Sequence, residues 1–164
     1  MNKLLSRYFQ ENFFIIPIRK NDKRPLYKKW NKYPLSYMEA RGMINAGFNI
    51  AVVAKDLWIL DYDRWEPIKG NPLYPLYNTC IQFTPRGYHV FYRAENEEII
   101  EKILHKVSGY KSYETFMRPD TIRHGDMYCL IAPSKIDGKS YWWLDDMKGE
   151  ILTLWQIIHE MLNV

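Results

Sequence analysis

The chain has 164 residues, of which 47% are hydrophobic and 16% aromatic, so it is long enough for one folded domain and its composition excludes a disordered protein. Lysine and arginine outnumber aspartate and glutamate by 23 to 19, which gives a modest net charge of +4. No run approaches the ~20 apolar residues of a membrane helix, and the N-terminus lacks a secretory pattern. We therefore expect one domain, residues 1–164, in the cytoplasm and with no membrane partner.

The first 46 residues predict two helices and one strand. Apolar residues recur at helical spacing over residues 2–11, and an apolar run over 13–18 predicts a strand. Ser36 and Glu39 form a capping-box pattern, so we expect a second helix from there to about Ala46.

The middle of the chain is rich in strand patterns. Apolar runs at 49–54 and 57–62 are separated by two residues, and we expect them to form a tight hairpin. A second strand pair is predicted at 80–84 and 88–93, around a Pro-Arg-Gly turn. A helix is predicted over 95–107, with acidic residues early and basic residues late.

The last third predicts three short strands, at 121–123, 127–132 and 141–144, and a C-terminal amphipathic helix over 148–162. Strands grouped in hairpins, with helices between the groups, are typical of the α+β class. We expect a mostly antiparallel sheet with helices packed on it.

Two carboxylates end the apolar run at 57–65, LWILDYDRW. Residues i and i+2 of a strand share a face and lie about 6–7 Å apart, so Asp61 and Asp63 can reach a common site. A divalent cation there would offset the cost of burying them, and Mg²⁺ prefers oxygen ligands. The alternative is a solvated strand end, with Asp61 capping a turn and Asp63 paired with Arg64.

Further polar residues lie beside the turns of other predicted strands. His89 lies beyond a turn, where it could donate a hydrogen bond to a phosphate oxygen while Arg86 adds positive charge. The alternative is a half-buried histidine with ordinary hydrogen-bond partners. Ser134 and Lys135 would suit the phosphates or sugar of a nucleotide, or form a simple turn.

A basic segment lies between the first strand and the second helix. Its basic residues are Arg19, Lys20, Lys23, Arg24, Lys28, Lys29 and Lys32. Tyr27, Trp30 and Tyr33 lie in or beside it, and basic residues mixed with aromatic ones suit contacts to phosphates and bases. The alternative is a solvated loop that keeps the protein soluble.

Six short motifs occur in a particular order along the chain. They are K-R-P with a following tryptophan (23–30), GFNIAVV (47–53), D-x-D (61–63), T-x-x-G-x-H (84–89), IR-x-G-x-x-Y…APS (122–134) and an aromatic strand (141–143). In this order they resemble the bifunctional primase–polymerase domain of the archaeo-eukaryotic primase superfamily, over roughly residues 13–145. The lysine-, isoleucine- and tyrosine-rich composition is consistent with an archaeal source, or with a plasmid or virus of an archaeon.

The resemblance implies an RRM-like sheet beside a small second α/β unit, and nucleotidyl transfer on a single-stranded DNA template with Mg²⁺ or Mn²⁺. It implies that Asp61 and Asp63 bind the metal and that His89, the third catalytic residue, contacts the incoming triphosphate. The predicted nucleotide-binding residues are Arg86, His89, Ser134, Lys135, Lys23 and Arg24. The predicted nucleic-acid-binding residues are Lys28, Lys29 and Trp30.

The family's third motif normally supplies another metal-binding acid, but an ungapped comparison places Thr121 there. Asp120 is one residue early, and a slip of one residue along a strand reverses the side chain's face. If Ile122 packs into the core, Thr121 and Arg123 face the site, while Asp120 shares the face of Ile122. Three outcomes remain. A bulge near Pro119 could turn Asp120 back toward the pair as the third metal ligand, or Asp126 could reach in from its turn instead. Otherwise the site has lost its full metal-binding strength.

The leading hypothesis is a catalytic DNA primase–polymerase domain in DNA replication. The main alternative is a noncatalytic, PriX-like primase subunit that holds nucleotide or template for a separate catalytic chain. A metal-dependent nuclease built on D-x-D and His89 is less favoured, because it leaves the K-R-P and A-P-S motifs unexplained. The expected partners are nucleotides, single-stranded DNA, and other primase subunits or a helicase.

Overall fold

This computed structural model describes residues 2–63, 79–94 and 121–153, where two antiparallel sheets and two helices are the main elements. The helices are α1 (Asn2–Gln10) and α2 (Tyr37–Asn45), and short 3-10 helices lie at Trp30–Lys32 and Leu144–Met147. Within those ranges no helix combines the length and apolar character that a membrane crossing needs. The strands are β1 (Phe14–Ile18), β2 (Asn49–Val53), β3 (Leu57–Tyr62), β4 (Ile81–Phe83), β5 (Tyr88–Arg93), β6 (Thr121–Arg123), β7 (Tyr128–Ile131), β8 (Lys135–Ile136), β9 (Lys139–Ser140) and β10 (Trp142–Trp143).

The strands divide between a three-stranded sheet, in the order β1-β2-β7, and a five-stranded sheet, in the order β10-β4-β5-β3-β6. Strands β8 and β9 form a separate two-stranded hairpin. The pairs within both larger sheets are antiparallel. The protein therefore has the α+β fold that the sequence predicts.

The predicted hairpin between residues 49–54 and 57–62 is wrong, because β2 and β3 belong to different sheets. Strand β2 pairs with β1 and β7, whereas β3 pairs with β5 and β6. Both strands are buried at every residue, and each is an interior strand of its own sheet. A short connection suggests a local pair, but an interior strand needs a partner on each edge, and these partners come from distant parts of the chain.

Several local predictions are confirmed. The first helix and first strand lie where expected, and β4 pairs with β5 around the predicted turn. At the start of α2, Ser36 accepts a hydrogen bond from the Glu39 backbone while the Glu39 carboxylate accepts one from the Ser36 backbone, a complete capping box. The helix ends before Gly47, whose φ of +81° favours glycine.

The C-terminal helix predicted over 148–162 is wrong in the part that the structure describes. Residues 149–153 are not helical, and Thr153 instead forms an isolated bridge with Arg93. The remainder of that prediction, and the helix predicted over 95–107, lie outside the described residues. The strand predicted over 141–144 is shorter, because the chain turns into a 3-10 helix at Leu144.

Helix α1 joins the two sheets through a buried tyrosine. The Tyr8 hydroxyl donates a hydrogen bond to the Ala132 carbonyl (2.7 Å) and accepts one from Trp143 Nε1 (2.5 Å). Ala132 follows β7 of the smaller sheet, whereas Trp143 lies in β10 of the larger one. Burial raises the pKa of Tyr8 well above its usual value, so the hydroxyl keeps its proton and can make both contacts.

Replacing Tyr8 with phenylalanine is expected to destabilise the protein by about 1–3 kcal/mol, because a buried carbonyl and a buried indole N–H lose their partner. Urea unfolding followed by tryptophan fluorescence measures this change. Tyr33→Phe is the matched control, since Tyr33 is 67% exposed, and should change stability by less than about 0.5 kcal/mol. Equal losses in the two variants would contradict the proposed link.

Candidate active site

The register of the five-stranded sheet lines up a polar row across three strands. Asp61 of β3 lies opposite His89 of β5, and His89 lies opposite Gln82 of β4. Residues directly opposite each other in an antiparallel pair project to the same face. On its other side Asp61 is opposite Thr121 of β6. The predicted partners Asp61 and His89, distant in sequence, therefore become neighbours.

Asp61 is buried and is held by two cationic or polar partners. One carboxylate oxygen lies 3.2 Å from His89 Nε2, and the other accepts hydrogen bonds from Arg123 Nε (3.1 Å) and Nη2. Burial alone would raise the pKa of Asp61, but the hydrogen bonds from His89 and Arg123, together with the guanidinium charge, outweigh it and lower the pKa to about 2. Asp61 is therefore ionised at neutral pH.

Arg123 lies where the register argument predicts, on the face of β6 that meets Asp61. Asp120, the proposed third metal ligand, lies outside the described residues. Strand β6 thus brings a cationic side chain into contact with Asp61. Its guanidinium takes up the carboxylate oxygen that would otherwise be available to a metal.

Asp63 occupies a more open position just after β3. Its side chain is 44% exposed and forms an ion pair with Arg86, at 2.8 Å. Arg86 is carried by a fixed turn, because Thr84 Oγ1 accepts hydrogen bonds from the backbone of Arg86 (3.2 Å) and of Gly87 (3.0 Å). This contact gives the T-x-x-G motif a physical role: it shapes the turn that places Arg86 opposite Asp63.

These side chains line one cleft of about 700 Å³. Its described basic residues are Lys23, Arg86, Arg123 and Lys139, and its acidic ones are Asp61, Asp63, Asp126 and Asp137. His89, Thr84, Tyr128 and Tyr141 also line it. The formal charges of the described lining therefore balance. Phosphate groups could be bound by the basic residues, and cations by the acidic ones.

Lys23 reaches the cleft because its loop is fastened to the β8–β9 hairpin. The buried Asn49 side chain donates to the carbonyls of Asp22 (3.2 Å) and Lys135 (2.9 Å), and it accepts a hydrogen bond from the Lys135 backbone (2.9 Å). Asn49 was not among the predicted site residues. Its signal in the sequence is a polar residue that begins an otherwise apolar strand.

Other predicted nucleotide-binding residues lie apart from the cleft lining. Ser134 is buried, and its hydroxyl donates to the Ile50 carbonyl (2.8 Å) and accepts from the Ile50 backbone N–H (3.0 Å), which makes it a link between strands. Arg24 is exposed and forms an ion pair with Asp22. The Lys135 side chain is also exposed. We therefore leave Ser134, Arg24 and Lys135 out of the site proposed below.

The predicted nucleic-acid residues lie on the surface beside the cleft. Lys28 and Lys29 are exposed. Trp30 is partly buried and packs edge-on against Tyr128, with ring centres 4.9 Å apart, and Tyr128 itself lines the cleft. The basic segment is thus connected to the cleft wall through this aromatic pair.

The donor chemistry of the cleft fits a divalent cation only in part. Asp61 and Asp63 offer the oxygen ligands that Mg²⁺ and Mn²⁺ prefer. In the part of the chain that the structure describes, however, no group of three or more His, Cys, Asp or Glu side chains is placed to hold a metal ion. Arg123 and Arg86 already pair with the two carboxylates. A cation would have to compete with these guanidinium groups.

Gln82 is the most informative residue that the sequence did not single out. It is 0% exposed and lies 3.2 Å from His89, through its Nε2 and the histidine Nδ1. Its amide also hydrogen-bonds to β7 and Ala132. A glutamine inside the apolar run CIQF was a possible signal, but the row that connects it to Asp61 depends on strand pairing.

Comparison with known proteins adds independent information on this region. A family model described as bifunctional DNA primase/polymerase, N-terminal, matches residues 5–155. The match spans the described cleft residues from Lys23 to Tyr141. No curated protein matches the chain.

Asp61 is expected to make stability depend on pH in the acid range. With a pKa of about 2 in the folded protein and about 3.9 in an unfolded chain, its ionised form stabilises the fold above about pH 4. That contribution, roughly 2 kcal/mol, is lost as the pH falls from about 4 to about 2. Denaturant unfolding at a series of pH values measures it.

The control for this prediction is a pair of matched substitutions. Asp61→Asn removes the titrating group and should flatten that part of the pH profile, whereas Asp56→Asn, at an exposed turn, should leave the profile unchanged. An Asp61→Asn profile parallel to that of the wild type would show that Asp61 is not the group responsible.

Proposed function

The chain belongs to the bifunctional DNA primase/polymerase N-terminal family, a DNA primase/polymerase-type domain of replication, and we propose that it adds nucleotides on a single-stranded DNA template with Mg²⁺ or Mn²⁺. The observation that carries the proposal is the convergence of Asp61, Asp63 and His89 in one cleft with basic residues. Nucleotidyl transfer needs acidic groups for a metal ion and donors for phosphates, and it needs little covalent chemistry from the protein.

Asp61 and Asp63 would hold the metal ion through carboxylate oxygens. When bound, the ion would neutralise charge on the triphosphate and support attack by the 3′-hydroxyl. The two carboxylates differ in accessibility, because Asp61 is buried and Asp63 is 44% exposed in its side chain. Asp63 therefore offers the more accessible ligand oxygens, whereas those of Asp61 are buried.

The basic residues and His89 would bind the phosphates of the incoming nucleotide. Arg86 is 65% exposed in its side chain and paired with a partly exposed carboxylate, so the pair is worth only about 0–1 kcal/mol and can open at little cost. Lys23 and Lys139 contribute further positive charge to the cleft lining. His89 can donate a hydrogen bond near Asp61. Their contribution is orientation and charge stabilisation.

The basic segment beside the cleft would contact the template. Lys28 and Lys29 offer exposed charges for phosphates. Tyr27 and Tyr33 are 52% and 67% exposed and can stack with unpaired bases. Trp30 is held against Tyr128 of the cleft wall, at 4.9 Å, so a strand bound to this segment would pass close to the proposed nucleotide site.

Primer synthesis on a single-stranded DNA template with Mn²⁺ and labelled nucleotides tests the proposal. The wild-type protein should incorporate label, and Asp61→Asn should reduce incorporation at least about 100-fold, because it removes charge stabilisation at the reacting phosphate. Asp56→Asn, at an exposed turn, should behave as the wild type. Equal incorporation by Asp61→Asn would refute the assigned role.

A specific observation favours a second candidate, a noncatalytic primase subunit that binds nucleotide for a separate catalytic chain. The guanidinium of Arg123 already neutralises Asp61, and Arg86 pairs with Asp63. With both carboxylates paired, the cleft could bind a nucleotide through its cations without any metal ion. The two candidates therefore differ in whether nucleotide affinity depends on the metal.

Calorimetric titration with dATP, in EDTA and in Mn²⁺, separates the two candidates. The enzyme candidate predicts at least about tenfold tighter binding with Mn²⁺, a difference of about 1.4 kcal/mol. Removing the competing cation by Arg123→Gln should then strengthen Mn²⁺ binding to the free protein, whereas Arg41→Gln, on the exposed face of α2, should not. The subunit candidate predicts equal affinities in EDTA and Mn²⁺, and weaker dATP binding by Arg123→Gln.

A further inference from the structure

The side-chain amide of Gln82 makes three hydrogen-bond contacts in a fully buried position. Its Oε1 accepts from the backbone N–H of Ala132 (2.8 Å), and its Nε2 donates to the carbonyl of Leu130 (2.8 Å). The same Nε2 lies 3.2 Å from Nδ1 of His89. The amide thus lies between the backbone at the end of β7, in the three-stranded sheet, and His89 of β5, in the five-stranded sheet.

The two backbone contacts fix which end of the amide is oxygen and which is nitrogen. A backbone N–H can only donate and a backbone carbonyl can only accept. Turning the amide over would place its NH₂ against the Ala132 N–H and its oxygen against the Leu130 carbonyl. Both buried backbone groups would lose their partners, so only one orientation satisfies them.

This orientation in turn determines the proton of His89. Gln82 Nε2 carries two hydrogens, and the one not bound to Leu130 is directed to His89 Nδ1. Nδ1 must therefore be an acceptor, which places the ring proton on Nε2, 3.2 Å from a carboxylate oxygen of Asp61. Asp61 accepts that proton's hydrogen bond, so both sides of the ring agree on the same tautomer.

We propose that Gln82 is a positioning residue that holds His89 as the Nε2–H tautomer, so that the imidazole donates a hydrogen bond into the cleft. The assignment of the tautomer stands on the geometry alone, whereas its use in binding a nucleotide phosphate rests on the proposed function. In the ligand-free protein Asp61 accepts the single Nε2–H hydrogen bond. In the proposed function a nucleotide phosphate would replace Asp61 as that acceptor, whereas an Nε2 lone pair would repel the phosphate oxygen. Gln82 therefore decides whether His89 can act on an anionic ligand.

Long-range ¹H–¹⁵N correlation spectra of the ligand-free protein test the tautomer, because they distinguish a protonated from an unprotonated ring nitrogen. The His89 signals are assigned by their loss in His89→Gln. The wild type should show a proton on Nε2 and none on Nδ1. A proton on Nδ1 of the wild-type ring, with Nε2 bare, would overturn the proposal.

The substitution Gln82→Glu tests the role of the amide directly. A carboxylate at this position has no hydrogen to donate, so it should accept from Nδ1 and the spectra should show Nδ1 protonated. Gln10→Glu, the same change at an exposed residue of α1, should leave the His89 spectrum unchanged. A folded Gln82→Glu protein whose Nδ1 stays unprotonated would overturn the proposal, and if that variant does not fold, the wild-type spectrum decides.

A binding experiment tests the functional part separately. Gln82→Met, which removes the donor to Nδ1 without adding a negative charge, should weaken dATP binding by about 3- to 10-fold, the range expected for a lost neutral hydrogen bond, whereas Gln10→Met should not. An unchanged dATP affinity in Gln82→Met would overturn the positioning role. Failure of primer synthesis by the wild type would refute the proposed catalysis and leave the spectroscopic result intact, so the two failures are distinguishable.

Discussion

The arrangement of the cleft depends on one side-chain amide that joins the two sheets. Among the strands that the structure describes, β7 is the outer strand of the three-stranded sheet, so its other edge has no partner strand within that set. Gln82 supplies both a donor and an acceptor there, as a peptide group of an adjacent strand would. Tyr8 donates a hydrogen bond to the carbonyl of Ala132, the residue whose backbone N–H is bound by Gln82. These contacts set the distance between the wall formed by β7 and the wall that carries Asp61 and His89.

The second constraint is electrostatic. An ionised carboxylate that is buried without a partner is costly, and the contacts of Asp61 with His89 and Arg123 offset this cost. The same pairing neutralises the group that would bind a metal ion in the proposed function. In the ligand-free fold Asp61 pairs with Arg123, whereas metal binding would need the same carboxylate. Whether a metal ion binds therefore depends on whether the ion, together with a triphosphate, can replace the positive charge and hydrogen bonds of Arg123.

Local patterns in the sequence predicted the first two helices, the β4–β5 pair and the carboxylate pair at the end of β3. The one-residue register argument also predicted that Arg123 faces the site, because alternation along a strand is a local property. The partners of β2 and β3 were not predictable in this way, since two adjacent apolar runs fit a hairpin as well as two separate sheets. For the same reason the sequence did not reveal Gln82, whose role arises only when β4, β5 and β7 are brought together.

The two carboxylates are held with very different strength, and this suggests how the cleft could accept a charged ligand. Asp61 is buried between two partners, whereas Asp63 is 44% exposed and pairs with Arg86, whose side chain is 65% exposed. Exposed pairs contribute little to stability, so a phosphate can draw Arg86 away at small cost. In the proposed function, that movement would give a cation access to the oxygens of Asp63 before Asp61 has to exchange Arg123. Binding of the nucleotide would then prepare the metal site, instead of requiring it to exist beforehand.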